Sequence, residues 1–166
     1  MSTQQNLQDA FAGESQANRK YLAFAKKAEA DGYPQVAKLF RAAADAETIH
    51  AHTHLRVMGG INETESNLKE AVSGEAHEFQ SMYPEFLSIA EKEGNKPAIN
   101  SFKYALAVEE IHHGLYSEAL EAVQSGKDLA DRKIYVCPVC GNTVYDEAPD
   151  KCPICNVAKE KFVEIA

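Results

Sequence analysis

Polar and apolar positions alternate with a helical period from about residue 3 to residue 125, and Gly or Pro interrupts the pattern chiefly at three places. Four helices are predicted. The first runs from about Thr3 to Ala30 and stops at Asp31-Gly32, and Pro34 then opens the second near the favoured first turn. The second ends at Gly59-Gly60, the third spans from Glu63–Ser66 to about Gly94, and the fourth starts beside Pro97 and ends at Gly126. Short connections make neighbouring helices antiparallel. Pro84 lies inside the third pattern, where its missing N–H predicts a bend rather than an end. After Gly126 the charged, aperiodic run KDLADRK reads as a linker, and short β-like runs such as Ile134-Tyr135-Val136 and Phe162-Val163 flank the cysteines beyond it.

The apolar stripes carry acids where a core should be. In the first helix Glu14 falls among Leu7, Ala10, Phe11, Ala17, Tyr21, Phe24 and Ala28. The second has Val36, Leu39, Phe40 and Ala43, then Glu47, His50 and His54, then Val57 and Met58. The third carries Glu75 and Glu78 between Val72 and Phe79, and the fourth carries Glu109 and His112 between Leu106 and Leu115. An ionised carboxylate buried without a partner costs several kcal/mol, and no set of core Lys or Arg residues matches these acids. Metal ions are the expected counter-charge.

The spacing sharpens that expectation. Glu-x-x-His places a carboxylate and an imidazole on one helix face, and it occurs at Glu47/His50 and at Glu109/His112. Two such pairs, with single Glu residues from two other helices, form the ligand set of ferritin-like di-iron carboxylate bundles. Mixed oxygen and nitrogen donors with spare coordination positions suit redox-active iron better than structural zinc. Glu110 and His113 share the i, i+3 spacing, but their phase is turned by about 100° from Leu106 and Tyr116. His52, His54, His77 and His113 carry no spacing argument and are assigned no ligand role. Gly13 and Gly74, each just before an acid, leave room for oxygen species or for close helix contact.

Composition divides the chain further. All four cysteines lie in the last 30 of 166 residues, so the helical part folds without thiolate chemistry. They read Cys137-Pro-Val-Cys140 and, after eleven intervening residues, Cys152-Pro-Ile-Cys155. Two Cys-x-x-Cys turns complete a tetrahedral four-sulfur site, which accepts iron or zinc. The expected division is 1–126 for the helical metal domain, 127–133 for the linker and 134–166 for the cysteine module. A net charge of −8 without a basic run argues against nucleic acid and anionic membrane surfaces as partners. The N-terminal sequence has no leader pattern and no stretch is apolar enough to span a membrane, so the expected location is cytoplasmic. There is no Gly-x-Gly-x-x-Gly motif for direct nicotinamide binding.

The segments AFAGESQANRKYLAFA, AETIHA, GEAHEFQSMYPEF, EEIHHGLY and CPVCG...CPIC together resemble rubrerythrin over essentially the full length. The resemblance implies a mainly α fold, a ferritin-like four-helix bundle followed by a small rubredoxin-like β/loop metal module. It implies a non-haem peroxidase that reduces hydrogen peroxide to water. Its ligands carry over to Glu14, Glu47, His50, Glu75, Glu78, Glu109 and His112 for two iron ions, and to Cys137, Cys140, Cys152 and Cys155 for a third iron. Glu78 is then the acid that exchanges with His50 as one iron changes oxidation state, and Tyr21 and Tyr83 are the tyrosines standing just outside the ligands. A rubredoxin or an NAD(P)H-dependent reductase is the implied electron donor, and a homodimer or higher homo-oligomer, with helices exchanged or not, the implied assembly. His77 departs from the family pattern, in which an aromatic residue is expected. The rival readings are a ferroxidase or iron-storage protein, and an electron carrier or metal buffer with zinc in its tail.

Overall fold

The computed structural model describes residues 2–166. The Ser2 hydroxyl accepts the Gln5 N–H at 3.2 Å and so caps helix α1, Thr3–Ala30. Helix α2, Pro34–Val57, opens on Pro34, whose missing N–H costs nothing in a first turn. The third predicted helix consists of α3, Thr64–His77, a π-helical turn, Glu78–Met82, and α4, Tyr83–Glu93. Gly94 ends α4 at φ +68°, a left-handed conformation that glycine adopts without cost. Asn95 then caps α5, Lys96–Gln124, by accepting the Ala98 N–H at 3.2 Å. Beyond α5 a three-stranded antiparallel sheet has the order β2-β1-β3, with β1 at Ile134–Val136, β2 at Thr143–Tyr145 and β3 at Val163–Ile165. No helix among the described residues is long and apolar enough to cross a membrane.

The irregularity expected at Pro84 lies one turn earlier. The Tyr83 N–H reaches back to the Glu78 carbonyl, an i→i−5 bond, immediately before the residue that has no N–H to offer. The chain meets the missing donor by widening a turn, and Glu78 stands at the head of that turn.

The chain forms two compact units, Met1–Asn62 and Glu63–Ala166. In the first, α1 and α2 pack as a hairpin through small residues. Ala37, Ala44 and Ala51 recur every seven positions on α2 and are buried with Ala25 and Ala28 of α1. Tyr21, Phe24 and Phe40 close one end, with ring centroids 5.6 to 6.4 Å apart. In the second unit α5 packs against α3 and α4. Ala90 and Val108 are its buried helical residues, and Tyr83, Phe86 and Phe102 form an aromatic cluster. The single-stripe reading of α2 fails for Leu39 and Val57, which are 69% and 65% exposed. A hairpin has one helix–helix seam, here lined by alanine, and the larger apolar residues flank it.

Candidate metal centres

Glu14, Glu47 and His50 converge in the first unit, each offering a ligand atom within 4.8 Å of the other two. The i, i+3 spacing brings the His50 Nδ1 to 2.9 Å from the Glu47 Oε2, and α1 supplies Glu14 across the seam. Asn18 fixes that seam. It is buried one turn beyond Glu14, and its Nδ2 donates to the Ala44 carbonyl at 2.7 Å and to the Thr48 Oγ1 at 2.8 Å. The Thr48 hydroxyl donates in turn to Ala44 at 3.1 Å, so α1 is tied to α2 at the residue beside Glu47. Sequence reasoning passed over Asn18, although a polar residue four positions after Glu14 on the same face was a legible signal. Tyr21 stands in the aromatic cluster of this hairpin.

Glu75, Glu109 and His112 form the corresponding cluster in the second unit, with ligand atoms again within 4.8 Å. The His112 Nδ1 is 2.8 Å from the Glu109 Oε2 and 3.9 Å from the Glu75 Oε1. Glu109 is partly covered and Glu110 exposed, and it is Glu109 that lies beside His112. The His113 ring instead meets Phe79 edge-on, 5.3 Å between centroids, and His77 is exposed. A Cβ added at Gly13 or Gly74 would meet nothing within 4 Å, so close packing inside its own unit does not require either glycine.

The electrostatics of this cluster call for a cation. Burial raises the Glu75 carboxyl to about 7, helped by a hydrogen bond to Glu109 and by the charges of Glu109 and Glu78. Glu78 is also raised, by burial and then by the Glu109 charge, with His77 and His112 opposing. Tyr83 is held above the ordinary phenol range by burial and then by the charges of Glu78, Glu109 and Glu75. The ion-pair partner of Glu75 and of Glu109 among the described residues is His112, a metal-ligand type, rather than Lys or Arg. Oxygen and nitrogen donors that repel one another this strongly fit divalent iron.

A pH dependence follows for the metal-free protein. Glu75 titrates at 4.5 when unperturbed and at about 7 here, so below 4.5 both folded and unfolded chains hold the proton. Between the two values the unfolded chain binds fewer protons, and folding weakens as pH rises. Melting of the metal-free protein is expected to move to lower temperature from pH 4.5 to pH 7, and the fall should shrink in Glu75→Gln.

The cysteine module is built from two matching turns. The Gly141 N–H returns to the Cys137 carbonyl and the Asn156 N–H to that of Cys152, both at 2.9 Å. Each turn ends on a residue with positive φ, Gly141 at +88° and Asn156 at +62°. The Cys137 and Cys155 sulfurs lie 3.5 Å apart, as do those of Cys140 and Cys152. That is far beyond a disulfide bond and close to the ~3.8 Å edge of a tetrahedron with metal–sulfur bonds of ~2.3 Å. Burial pushes Cys140 and Cys155 upward. At Cys152 burial also acts upward, but the N–H groups of Cys155 and Ile154 and the neighbouring thiols bring it down to about 7. The donor set fits one metal ion. Asn142, buried and unnoticed in the sequence, points its Nδ2 at the Cys152 sulfur, 3.7 Å away.

The module sits on α5 within the second unit. A Cβ at Gly141 would meet the Val108 Cγ1 at 3.5 Å, and one helical turn on the His112 Nε2 lies 3.0 Å from the Thr143 Oγ1.

Comparison with known proteins agrees with both sites. The rubrerythrin family model matches residues 5–120, and the model of the rubrerythrin rubredoxin-like domain matches residues 135–163. Rubrerythrin-2 of Clostridium acetobutylicum is 39% identical over 170 residues, which cover 94% of this chain and 92% of that protein. Nigerythrin of Nitratidesulfovibrio vulgaris is 35% identical over 97% of this chain and 85% of its own length. The solved structure of the fully reduced, all-ferrous state of nigerythrin superposes with a TM-score of 0.59, covering 99% of this chain and 87% of that one. With a carboxylate di-iron site on its helices and a four-cysteine site in its tail, the chain belongs to the rubrerythrin family.

Proposed function

We propose that this oxidoreductase is a non-haem di-iron peroxidase that reduces hydrogen peroxide to water and so protects against oxidative stress. Peroxide takes up two electrons and two protons and gives two waters. Residues 1–126 are the di-iron domain, 127–133 the linker and 134–166 the module that receives electrons. In this reading Glu14, Glu47, His50, Glu75, Glu78, Glu109 and His112 hold the two irons, and Cys137, Cys140, Cys152 and Cys155 hold the third. The observation that carries the reading is the meeting of the two sites on α5, where a residue of the carboxylate cluster and one of the cysteine module share a hydrogen bond.

Bound iron supplies the electrons and the Lewis acidity that draw peroxide to the site. The protein's own residues do the rest. Glutamates from α1, α2, α3, the π-helical turn and α5 would neutralise the ions, and Glu47 and Glu109 stand beside the His50 and His112 Nδ1 atoms, so each carboxylate and its imidazole are offered to a metal together. Tyr83, its phenol raised by burial and by the charges of the acids, keeps its proton at neutral pH. Glu78 heads the π-helical turn, and in this reading it is the acid that would change partner with His50. Tyr21 packs with Phe24 and Phe40 on the hairpin that carries Glu14.

A rubredoxin or an NAD(P)H-dependent reductase is the proposed donor, and the cytoplasm the proposed location. Apolar surface left by the helical units, including Leu39, Ile49 and Val57, supports a homodimer or higher homo-oligomer.

Anaerobic titration of the chemically reduced protein tests the reading. One equivalent of peroxide is expected to oxidise the helical iron pair, with no dioxygen released. Failure of peroxide to oxidise it, with added ferrous iron instead taken up and mineralised, would establish the ferroxidase reading. In Glu78→Ala the pair should still assemble, through His50, but its oxidation by peroxide should slow about tenfold or more, the scale on which residues supporting a metal site act. A parental rate would remove Glu78 from the mechanism.

A further inference from the structure

Thr143 makes two hydrogen bonds with one proton. Its hydroxyl donates to the Gly141 carbonyl at 3.0 Å, so the oxygen facing the His112 Nε2 at 3.0 Å is an acceptor. With the hydroxyl proton on the Gly141 carbonyl, the hydrogen of this contact is assigned to His112. Nε2 is the donor, and Nδ1 is left directed at Glu109 and Glu75, the side on which the metal ligands gather. The contact is braced on both sides. Thr143 lies at the start of β2, paired with Val136 of β1, and Val108 meets Gly141 one turn before His112 on the same face of α5. Leu68, Leu115, Ala119 and Ile134 wall the adjoining pocket, and apolar surroundings strengthen a hydrogen bond by lowering the local dielectric.

We propose that Thr143 is a positioning residue for His112: it holds the ring in the Nε2–H tautomer that binds metal through Nδ1, and it joins the four-sulfur site to the helical cluster. The electron route runs through bonds from Cys140 to Gly141, across the Gly141 carbonyl to the Thr143 hydroxyl, and through the His112 ring. One electron passes and both bridging protons stay in place, so the step needs no other reactant. The route rests on the proposed function; the tautomer does not, and none of the measurements below uses peroxide.

Nitrogen-15 NMR of the zinc-substituted full-length protein reads the ring directly. His112 should show a slowly exchanging Nε2–H and a metal-bound Nδ1, and an Nε2 without hydrogen would overturn the proposal with no mutation made. In Thr143→Val, which keeps the strand and the side-chain shape, that proton should lose its exchange protection. Iron affinity at the helical site should fall about 10- to 100-fold, as when the outer partner of a metal-bound histidine is removed. Electron transfer from the module to the chemically oxidised helical site, started by pulse radiolysis, should slow at least tenfold. Thr143→Ser should restore all three. An unchanged Nε2–H in Thr143→Val, a parental electron-transfer rate, or failure of serine to rescue would overturn it.

Discussion

Glu47→Ala is expected to lose the helical iron pair, while Glu110→Ala keeps it. Glu47 lies within ligand distance of both Glu14 and His50, and it is the carboxylate against which the His50 Nδ1 is oriented. Removing it takes away negative charge and the group that aims the imidazole, while Asn18 and Thr48 go on holding the hairpin closed. Losing a partner that only orients a ligand costs about 10- to 100-fold in metal affinity, and losing a ligand carboxylate should exceed that. Glu110 is exposed on the other side of α5 and should change iron content little. Iron per chain, counted after desalting with the tetrathiolate colour as internal reference, checks this. Normal iron in Glu47→Ala and loss in Glu110→Ala would invert the phase assignment.

Much of this was legible because helical period and metal chemistry constrain the same positions. Counting threes and fours paired Glu47 with His50 and Glu109 with His112 and put Glu14 and Glu75 on the stripes of their own helices; which acid joins which pair was not legible, and the structure brings Glu14 to the first and Glu75 to the second, with ligand atoms within 4.8 Å. The cysteines were readable from spacing alone. Contacts set by tertiary docking were not. Thr143 follows Cys140 by three residues in a strand that looks like any other short β run, and nothing local announces that His112 will meet it. The π-helical turn at Glu78–Met82 was hidden for a different reason: Pro84 advertises a missing donor, but not that the backbone will adjust one turn upstream. The alanine seam between α1 and α2 was obscured by larger apolar residues on flanking positions, which drew attention to Leu39 and Val57 instead.

The cysteine module distinguishes a peroxidase that turns over from a protein that reacts once. Its sulfurs are set for one tetrahedral ion, and zinc fills such a site without carrying electrons. Zinc in the tail should therefore leave fold and helical iron intact and abolish catalysis driven by a reductase, a fall of at least about 100-fold if the module is the main route. The comparison is between full-length protein with iron in all three positions and full-length protein with iron in the helical site and zinc in the tail. Both receive the same NAD(P)H, reductase and hydrogen peroxide. The account predicts rapid NAD(P)H oxidation in the first and almost none in the second, although both, once chemically reduced, are oxidised by a single addition of peroxide. Undiminished turnover in the zinc form would contradict it and leave the module as a structural clip.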